Sequence, residues 1–522
     1  MSSIIETLAE HARHDPDRPA LLFEGRTFSY GRLWADVERL ARALASSGIA
    51  PGERVALFLE NCPEFVVAYL GAQRAGAVVV PINTQYRQIE LSHILADAGV
   101  RLCVTSPAGA AELVRLPLPD LRTLVIVGAE SEQSEQDAPS SSATTSVPFD
   151  AFIARGDDQT DQPLPLPALD APAVIGYTSG TTGRSKGALL LHRNLAANAA
   201  AVTSAWRWTR DDRLLLTLPL FHTHGLMVGL HGTLLTGASA VLRHKFDAAD
   251  VLAMLRADPA ITLFFGVPTM YGRLLAEVER QGAAALPSHL PRLFVSGSAP
   301  LSPRVFADFE RLFGRRILER YGMTETIMNL TNPHDGERRP GTVGGPFPGQ
   351  QARVVDARTR APLPPGAIGE IEVRGPHVFA GYWNRPDATA EAFGPDGWFK
   401  TGDLGSVSDD GYFTITGRAR ELIISGGYNV YPREVEEALA GHPAVAEVAV
   451  VGAPDPDLGE QVVAVIVSKD GARPSVGEIA AYCRERLASY KKPRRVVFVD
   501  ALPRNALGKV QKHLLTGIVT QP

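Results

Sequence analysis

The stretch "YTSGTTGRSKGA", Tyr177 to Ala188, gathers backbone freedom and hydroxyl donors around one lysine. Gly180, Gly183 and Gly187 let a ligand approach the main chain. Thr178, Ser179, Thr181, Thr182 and Ser185 bring hydroxyls, and Arg184 and Lys186 bring charge. Such a set suits an anion with several oxygens. The Gly-x-x-x-x-Gly-Lys-Ser/Thr spacing of nucleoside-triphosphatase loops is absent. A flexible linker is the competing reading, but apolar "AVIGY" precedes the stretch and "ALLL" follows its glycines. Two further features bear on chemistry. His222 and His224 stand two apart in "PLFHTHGL", a metal pair only if other ligands join them, and no Cys/His set lies nearby in sequence. Lys509, in "NALGKVQK", is a lone loop lysine beside a glycine, free to project.

These residues need a large scaffold. At 522 residues the chain exceeds one core, so two or more domains are expected. The net charge of −5, with signs interspersed, disfavours a nucleic-acid surface and favours small-molecule partners. Cys62, Cys103 and Cys483 lie far apart, which suggests neither zinc nor disulfides, and a reducing, cytoplasmic setting is expected. The N-terminus fits neither a secretory signal nor a transit peptide, and no apolar run reaches the roughly 18 residues of a membrane helix, so no membrane is expected.

From residue 30, helix and strand patterns alternate. "RLWADVERLARALASSG" sets Leu33, Val37, Leu40 and Leu44 on one helical face, and "RVALFLEN" then reads as a buried strand. The alternation predicts parallel sheet with crossover helices. Residues 129–169 read as a long polar, Pro-rich surface connection, and a second α/β stretch runs from there to about residue 340. "GEIEVRGPHVFAGYW" and "DGYFTITGR" predict a small antiparallel region, and residues after Arg418 a separate α+β unit. The expected fold is α/β: residues 1–418 a large domain of α/β subdomains with a small β-rich one, and residues 419–522 a mobile α+β lid.

Four stretches taken in order carry a resemblance: the glycine loop, "ERYGMTET" (Glu319–Thr326), "TGDLG" with "GRARELIISGGYNVYP" (Thr401–Pro432), and "PRNALGKVQK" (Pro503–Lys512). Their order and spacing resemble the acyl-adenylate-forming, AMP-binding superfamily, which includes acyl-CoA synthetases, firefly luciferase and peptide-synthetase adenylation domains. The resemblance covers essentially the whole chain. It implies an enzyme that attacks the α-phosphorus of ATP with a carboxylate, releases pyrophosphate, and then passes the acyl group to coenzyme A with release of AMP. An anion must meet a polyanion, so cations and donors must offset the repulsion.

The resemblance assigns the glycine loop, Thr178 to Lys186, to the β- and γ-phosphates, and Glu325 to Mg2+. Ser298, Ala299, Gly322 and Thr324 fall at the nucleotide, with adenine between "SGSAP" (Ser296–Pro300) and Tyr321; a core tyrosine is the alternative there. Asp403 is expected to accept from the ribose hydroxyls and Arg418 to bind the ribose or phosphate side. Lys509 matches the catalytic lysine of adenylation. Arg420 stands at the hinge, where Lys or Asp is more common, and Gly426 and Gly427 would leave a passage for pantetheine after rotation. Ser185 stands where many relatives have proline, which touches loop rigidity.

For the acid, His222 and Thr223 are expected at the acyl-pocket wall, His222 near the reacting carboxylate, with Met328 also lining the pocket. Arg320 replaces a glycine common in relatives, so it would shorten the pocket and make its end cationic. A small diacid fits, and the motifs look like the malonyl-CoA synthetase branch. Malonate is the expected acid, with methylmalonate second. The alternatives are a generic short-chain or aromatic acyl-CoA synthetase, or a nucleotide-binding remnant without turnover. An Arg320 paired internally with Glu319 or another buried acid is the competing structural reading.

Overall fold

The structure is a computed structural model that describes residues 2–129, 144–159, 164–178, 185–282, 286–426, 428–469, 472, 474–505 and 508–519. The helix Tyr30–Ser46 shows how the sequence builds it. Ser29 caps the helix by accepting from Arg32 N, and Leu33, Val37, Leu40 and Leu44 are buried on one face. The strand Arg54–Phe58 follows and pairs in parallel with Val78–Pro81 on one side and Val100–Thr105 on the other. It belongs to an eight-stranded sheet that runs from Thr145–Pro148 at one edge to Pro172–Thr178, Lys186–Leu191 and Gly381–Tyr382 at the other.

A second, nine-stranded sheet contains the parallel strands Arg213–Leu216, Leu263–Gly266, Leu293–Ser296 and Leu318–Tyr321. One continuous core joins both sheets to the helices Tyr30–Ser46, Pro63–Arg74 and His192–Ala205. A four-stranded antiparallel sheet follows: Gln351–Val355, Gly369–Arg374, Phe399–Val407 and Phe413–Arg418. Past the 3-10 turn Ala419–Glu421, a five-stranded sheet with its own core forms the C-terminal unit. Among the described residues no helix is long and apolar enough to cross a membrane.

Two local expectations change. Residues 129–169 are not only a connection: Thr145–Pro148 adds an edge strand, and the helix Phe149–Ala154 buries Phe152 completely. The short apolar segment "VPFDAFIA" is lost to sequence reading between two long polar runs. The "GYW" end of the predicted antiparallel region also goes elsewhere, because Gly381–Tyr382 pairs with Lys186–Leu191 on the eight-stranded sheet.

The segment leading to His222 is held from outside. Asn61, 2 % exposed, donates from Nδ2 to Leu218 O at 2.9 Å and Arg243 O at 3.0 Å, and its Oδ1 accepts from Leu220 N at 2.7 Å. Asn61→Ala would strand three main-chain groups, those of Leu218 and Leu220 buried and that of Arg243 part-buried. It should lower unfolding free energy by about 1–3 kcal/mol, measured by denaturant titration, with far-UV circular dichroism unchanged.

Candidate active site

The strands Leu293–Ser296 and Leu318–Tyr321 are parallel neighbours, and the loops leaving their C-terminal ends carry "GSAP" and "GMTET". Such strand ends are where α/β sheets form crevices. Two residues here adopt left-handed backbone without being glycine: Ser298 at φ 68° and the β-branched Ile327 at φ 60°. Positive φ at these types is costly and concentrates at functional turns. Ala299 follows in the same loop, and Gly322 and Thr324 are half-buried in the turn after Tyr321.

The structure brings Tyr321, Asp403 and Arg418 together. Asp403 and Arg418 are cross-strand partners in the small sheet, joined by Nε–Oδ1 at 2.9 Å, and Tyr321 OH donates to Asp403 Oδ2. Asp403 is 3 % exposed, and its charge holds the Arg418 guanidinium more firmly protonated than usual. A buried carboxylate fixed at both oxygens is pre-set to accept from hydroxyls.

Thr178 and Lys186 face each other across the hairpin of Pro172–Thr178 and Lys186–Leu191, and His93 Nε2 lies 2.8 Å from Ser185 O. Ser179, Gly180, Thr181, Thr182, Gly183 and Arg184 lie outside the described residues. Lys186 Nζ sits 5.3 Å from the ring centroid of Tyr382, whose hydroxyl donates to Glu325 Oε1 at 3.0 Å. Glu325 is 5 % exposed, and burial raises its pKa, ahead of the opposing hydrogen bonds. A buried hard oxygen donor, bonded to the tyrosine whose ring lies against Lys186, would suit Mg2+.

Arg320 occupies the opposite side of its strand from Glu319. Leu318 and Arg320 share the face of Val295 and Phe265, while Ile317 and Glu319 turn to the other, where Glu319 Oε1 accepts from Leu301 N at 2.9 Å. The two therefore do not pair. Arg320 is 2 % exposed, and its Nε and Nη2 have no hydrogen-bond partner among the described residues. Gly297 makes room for it: a Cβ there would lie 2.5 Å from Arg320 Cζ. Burial works against the cation, but guanidinium keeps its proton in proteins.

Near Arg320, Thr223 and His224 are buried and His222 is half-buried. His222 Nδ1 accepts from His224 N at 3.2 Å, and a π-helical turn, His224–Leu230, begins there. Loss of hydration, then the Arg320 charge, brings His222 down to about 3. Met328 is buried, its carbonyl accepting from Asn198 Nδ2 at 2.9 Å. No third His, Cys, Asp or Glu joins the two histidines as a metal cluster among the described residues.

Lys509 arrives from the C-terminal unit. Its loop is pinned by Asn505, whose Oδ1 accepts from Lys509 N at 2.9 Å, and Gly508, at φ 73°, is seated so that a Cβ would fall 2.7 Å from Thr269 Oγ1 of the large domain. Lys509 as a whole residue is exposed. Enough protein crowds its ammonium that lost hydration, with the Arg418 charge second, lowers it to about 8. Its charge also acts on His222. Arg420 is exposed on the 3-10 turn Ala419–Glu421. Gly426, at φ 58°, turns the hairpin tip and donates to Leu458 O at 2.9 Å within the C-terminal unit. Gly427 lies outside the described residues.

Sequence reasoning missed Tyr382 and Asn61. The Tyr382–Glu325 contact spans 57 residues and two sheets, and no spacing announces it. Asn61 reaches 159 residues along the chain to Leu220. His224 was visible as half of a His-x-His pair, though not as a pocket residue.

The AMP-binding enzyme family model matches residues 8–383, and that of the AMP-binding enzyme C-terminal domain matches residues 434–509. Sulfoacetate–CoA ligase of Cupriavidus necator is 40 % identical over 512 residues, covering 97 % of this chain and 96 % of that protein. Malonate–CoA ligase of Arabidopsis thaliana is 33 % identical over 555 residues, covering 99 % and 88 %. The crystal structure of ATP-bound MatB from Rhodopseudomonas palustris superposes with a TM-score of 0.89 at 38 % identity, covering 100 % of this chain and 99 % of that one.

Two outcomes are expected from this geometry. A cationic role for Lys509 would be full below its pKa and lost as pH rises through about 8. The kcat/KM for pyrophosphate release, which reports the free enzyme, should fall with rising pH above that point, and Lys509→Arg should flatten this limb. Tyr382→Phe keeps the ring beside Lys186 and removes the hydroxyl from Glu325. It should weaken Mg2+ support of ATP binding by roughly 10-fold or more, read by calorimetric titration of ATP at graded Mg2+.

Proposed function

The chain belongs to the AMP-binding enzyme family, and on that premise we propose that this acid–thiol ligase joins a small dicarboxylic acid, malonate first, to coenzyme A through an acyl-adenylate. The observation that carries the choice of acid is the buried guanidinium of Arg320, unpartnered at Nε and Nη2 among the described residues. An isolated buried charge costs several kcal/mol. A ligand with a second anion beyond its reacting carboxylate relieves that cost, and a monoacid does not. Two of the relatives are named for acids of this kind.

The reacting carboxylate approaches beside His222, which stays neutral and adds no competing charge. A carboxylate oxygen forms a bond to the α-phosphorus of ATP, and the bond from that phosphorus to the bridging oxygen breaks, releasing pyrophosphate. Lys509 offsets the negative charge that gathers at this step. Lys186 and the glycine loop hold the outer phosphates, and Asp403 and Arg418 hold the ribose side. When bound at Glu325, Mg2+ neutralises phosphate charge. In the second half, the thiol of coenzyme A attacks the acyl carbon and AMP leaves. Residues 419–522 rotate about Arg420 to withdraw Lys509 and bring Gly426 and Gly427 toward the adenylate.

Sulfoacetate is a second reading, favoured by the 40 % identity to the ligase named for it. Its sulfonate would meet Arg320 as a fixed anion.

Arg320→Met tests the assignment on two axes. Removing an uncompensated buried charge should leave folding stability unchanged or raise it by about 1–4 kcal/mol, while malonate-dependent pyrophosphate release collapses. Arg320→Gly should in addition let butyrate and hexanoate gain relative to malonate. A variant that keeps its malonate preference, or an unaltered protein that prefers a monoacid, would return the chain to the generic acyl-CoA synthetases. Higher turnover of sulfoacetate than malonate would select the second reading.

A further inference from the structure

The helix Gln88–Ala98 packs on the eight-stranded sheet through Leu91, Ile94, Leu95 and Ala98, which share a core with Val80 and Ile175. His93 and Asp97 stand four residues apart, hence one above the other on the helix, and both reach the hairpin that presents Lys186. His93 Nε2 donates to Ser185 O at 2.8 Å, since a carbonyl can only accept. Asp97 Oδ2 accepts from Tyr177 OH at 2.7 Å. Tyr177 lies at the end of the strand Pro172–Thr178, and Ser185 immediately precedes the strand Lys186–Leu191. One helix therefore holds both stems of the hairpin. The two contacts also meet each other, with the His93 and Tyr177 rings edge to face and their centroids 6.2 Å apart.

Asp97 reaches a third segment. Its Oδ1 accepts from Arg385 Nη2 at 2.6 Å, and its carbonyl accepts from Trp383 Nε1 at 3.2 Å. Trp383 N in turn donates to Gly187 O at 2.7 Å. These residues follow Tyr382, whose ring lies 5.3 Å from Lys186 Nζ. A carboxylate in the last turn of a helix is opposed by the helix dipole, so the helix itself gains little from Asp97. Its partners are distant in sequence, and its side chain is only 11 % exposed. Burial first, then the bond to Asp97, raise the Tyr177 phenol well above its usual range and keep it a donor.

We infer that His93 and Asp97 are positioning residues for Lys186: their hydrogen bonds to Ser185 and Tyr177 fix the two hairpin stems and so aim the lysine at the outer phosphates of ATP. This rests on the reading of Lys186 as a phosphate ligand and adds to it. The hairpin ladder ends at the Thr178–Lys186 pair. Pairing at a ladder end constrains a strand from one side, and the His93 bond to Ser185 O adds a constraint just past it. AMP has no outer phosphates, so its binding should not depend on either contact.

The test measures binding of ATP with Mg2+ and, separately, of AMP by calorimetry. His93→Phe keeps a ring against Tyr177 and removes the donor, His93→Gln keeps an N–H near the place of Nε2, and Tyr177→Phe removes the hydroxyl from Asp97. Lys186→Ala is the reference for loss of the phosphate ligand. His93→Phe and Tyr177→Phe should each weaken ATP by about 3-fold to 10-fold and leave AMP unchanged, and His93→Gln should recover most of the loss. Turnover should show a higher KM for ATP, with thioester formation from supplied acyl-adenylate unaffected. Unchanged ATP affinity in His93→Phe overturns the role of His93, and in Tyr177→Phe that of Asp97, while a loss in Lys186→Ala leaves the lysine reading standing. Equal weakening of ATP and AMP, or a His93→Gln variant no better than His93→Phe, also overturns the inference, in favour of a packing role. A Lys186→Ala variant that keeps its ATP affinity overturns the lysine reading and this inference together.

Discussion

A guanidinium held out of water without a counter-charge is the constraint around which this crevice is arranged. Arg320 and Glu319 are adjacent in sequence and would neutralise each other if they met. The pleat prevents it, because successive side chains on a strand point to opposite faces. Glu319 takes the face of the second core, where its Oε1 accepts from Leu301 N, while Arg320 takes the face of Val295 and Phe265. A slip of one residue would exchange the two and turn the pocket anionic. Gly297 admits the guanidinium, the neighbouring histidines remain neutral, and among the described residues its Nε and Nη2 have no hydrogen-bond partner. The helices and sheets around it supply the stability that lets such a residue persist.

The remaining charges come from separate parts of the fold. Lys186 starts a hairpin strand, Glu325 follows Tyr321 by four residues, Asp403 and Arg418 face each other across the small sheet, and Lys509 comes from the C-terminal unit. They nevertheless feel one another in sequence across the crevice: Arg320 and Lys509 on His222, Arg418 and Asp403 on Lys509, and Arg418 and Asp403 on Glu325. Of these only Lys509 lies beyond the turn Ala419–Glu421. We propose that this division has a chemical reason. Positive charge is needed while phosphate charge is rearranged at the α-phosphorus, and the side chain that brings it must make way when a thiol later approaches the acyl carbon.

How much of this could be read in the sequence depends on how local each feature is. The alternating elements were legible because 3.6-residue and two-residue periodicities are local, as the burial of Leu33, Val37, Leu40 and Leu44 illustrates. The motifs were legible because phosphate and ribose chemistry constrains consecutive residues. Arg320 stood out only because a motif surrounds it. The fate of Glu319 was not legible from composition, since pairing or separation depends on strand alternation at a boundary that sequence patterns locate poorly. Tyr382 and Asn61 were invisible for a different reason: each acts on a partner from another part of the chain. The edge strand Thr145–Pro148 was hidden by its polar flanks.

Two unfinished charges of opposite sign therefore stand in one crevice. Burial raises the carboxyl pKa of Glu325, as a cation nearby would reverse, and burial works against Arg320, as an anion nearby would reverse. A fold selected for stability alone would bring them together. Here Glu325 is tied to Tyr382 and is acted on by Arg418 and Asp403, whereas Arg320 lies near Tyr271, a phenol that burial keeps neutral. Keeping them apart sacrifices stability and leaves each free to take its own ligand, a trade that active sites commonly make. Binding of metal with nucleotide at one end and of acid at the other can then each remove a separate penalty. Neither ligand has to break an internal ion pair before it enters.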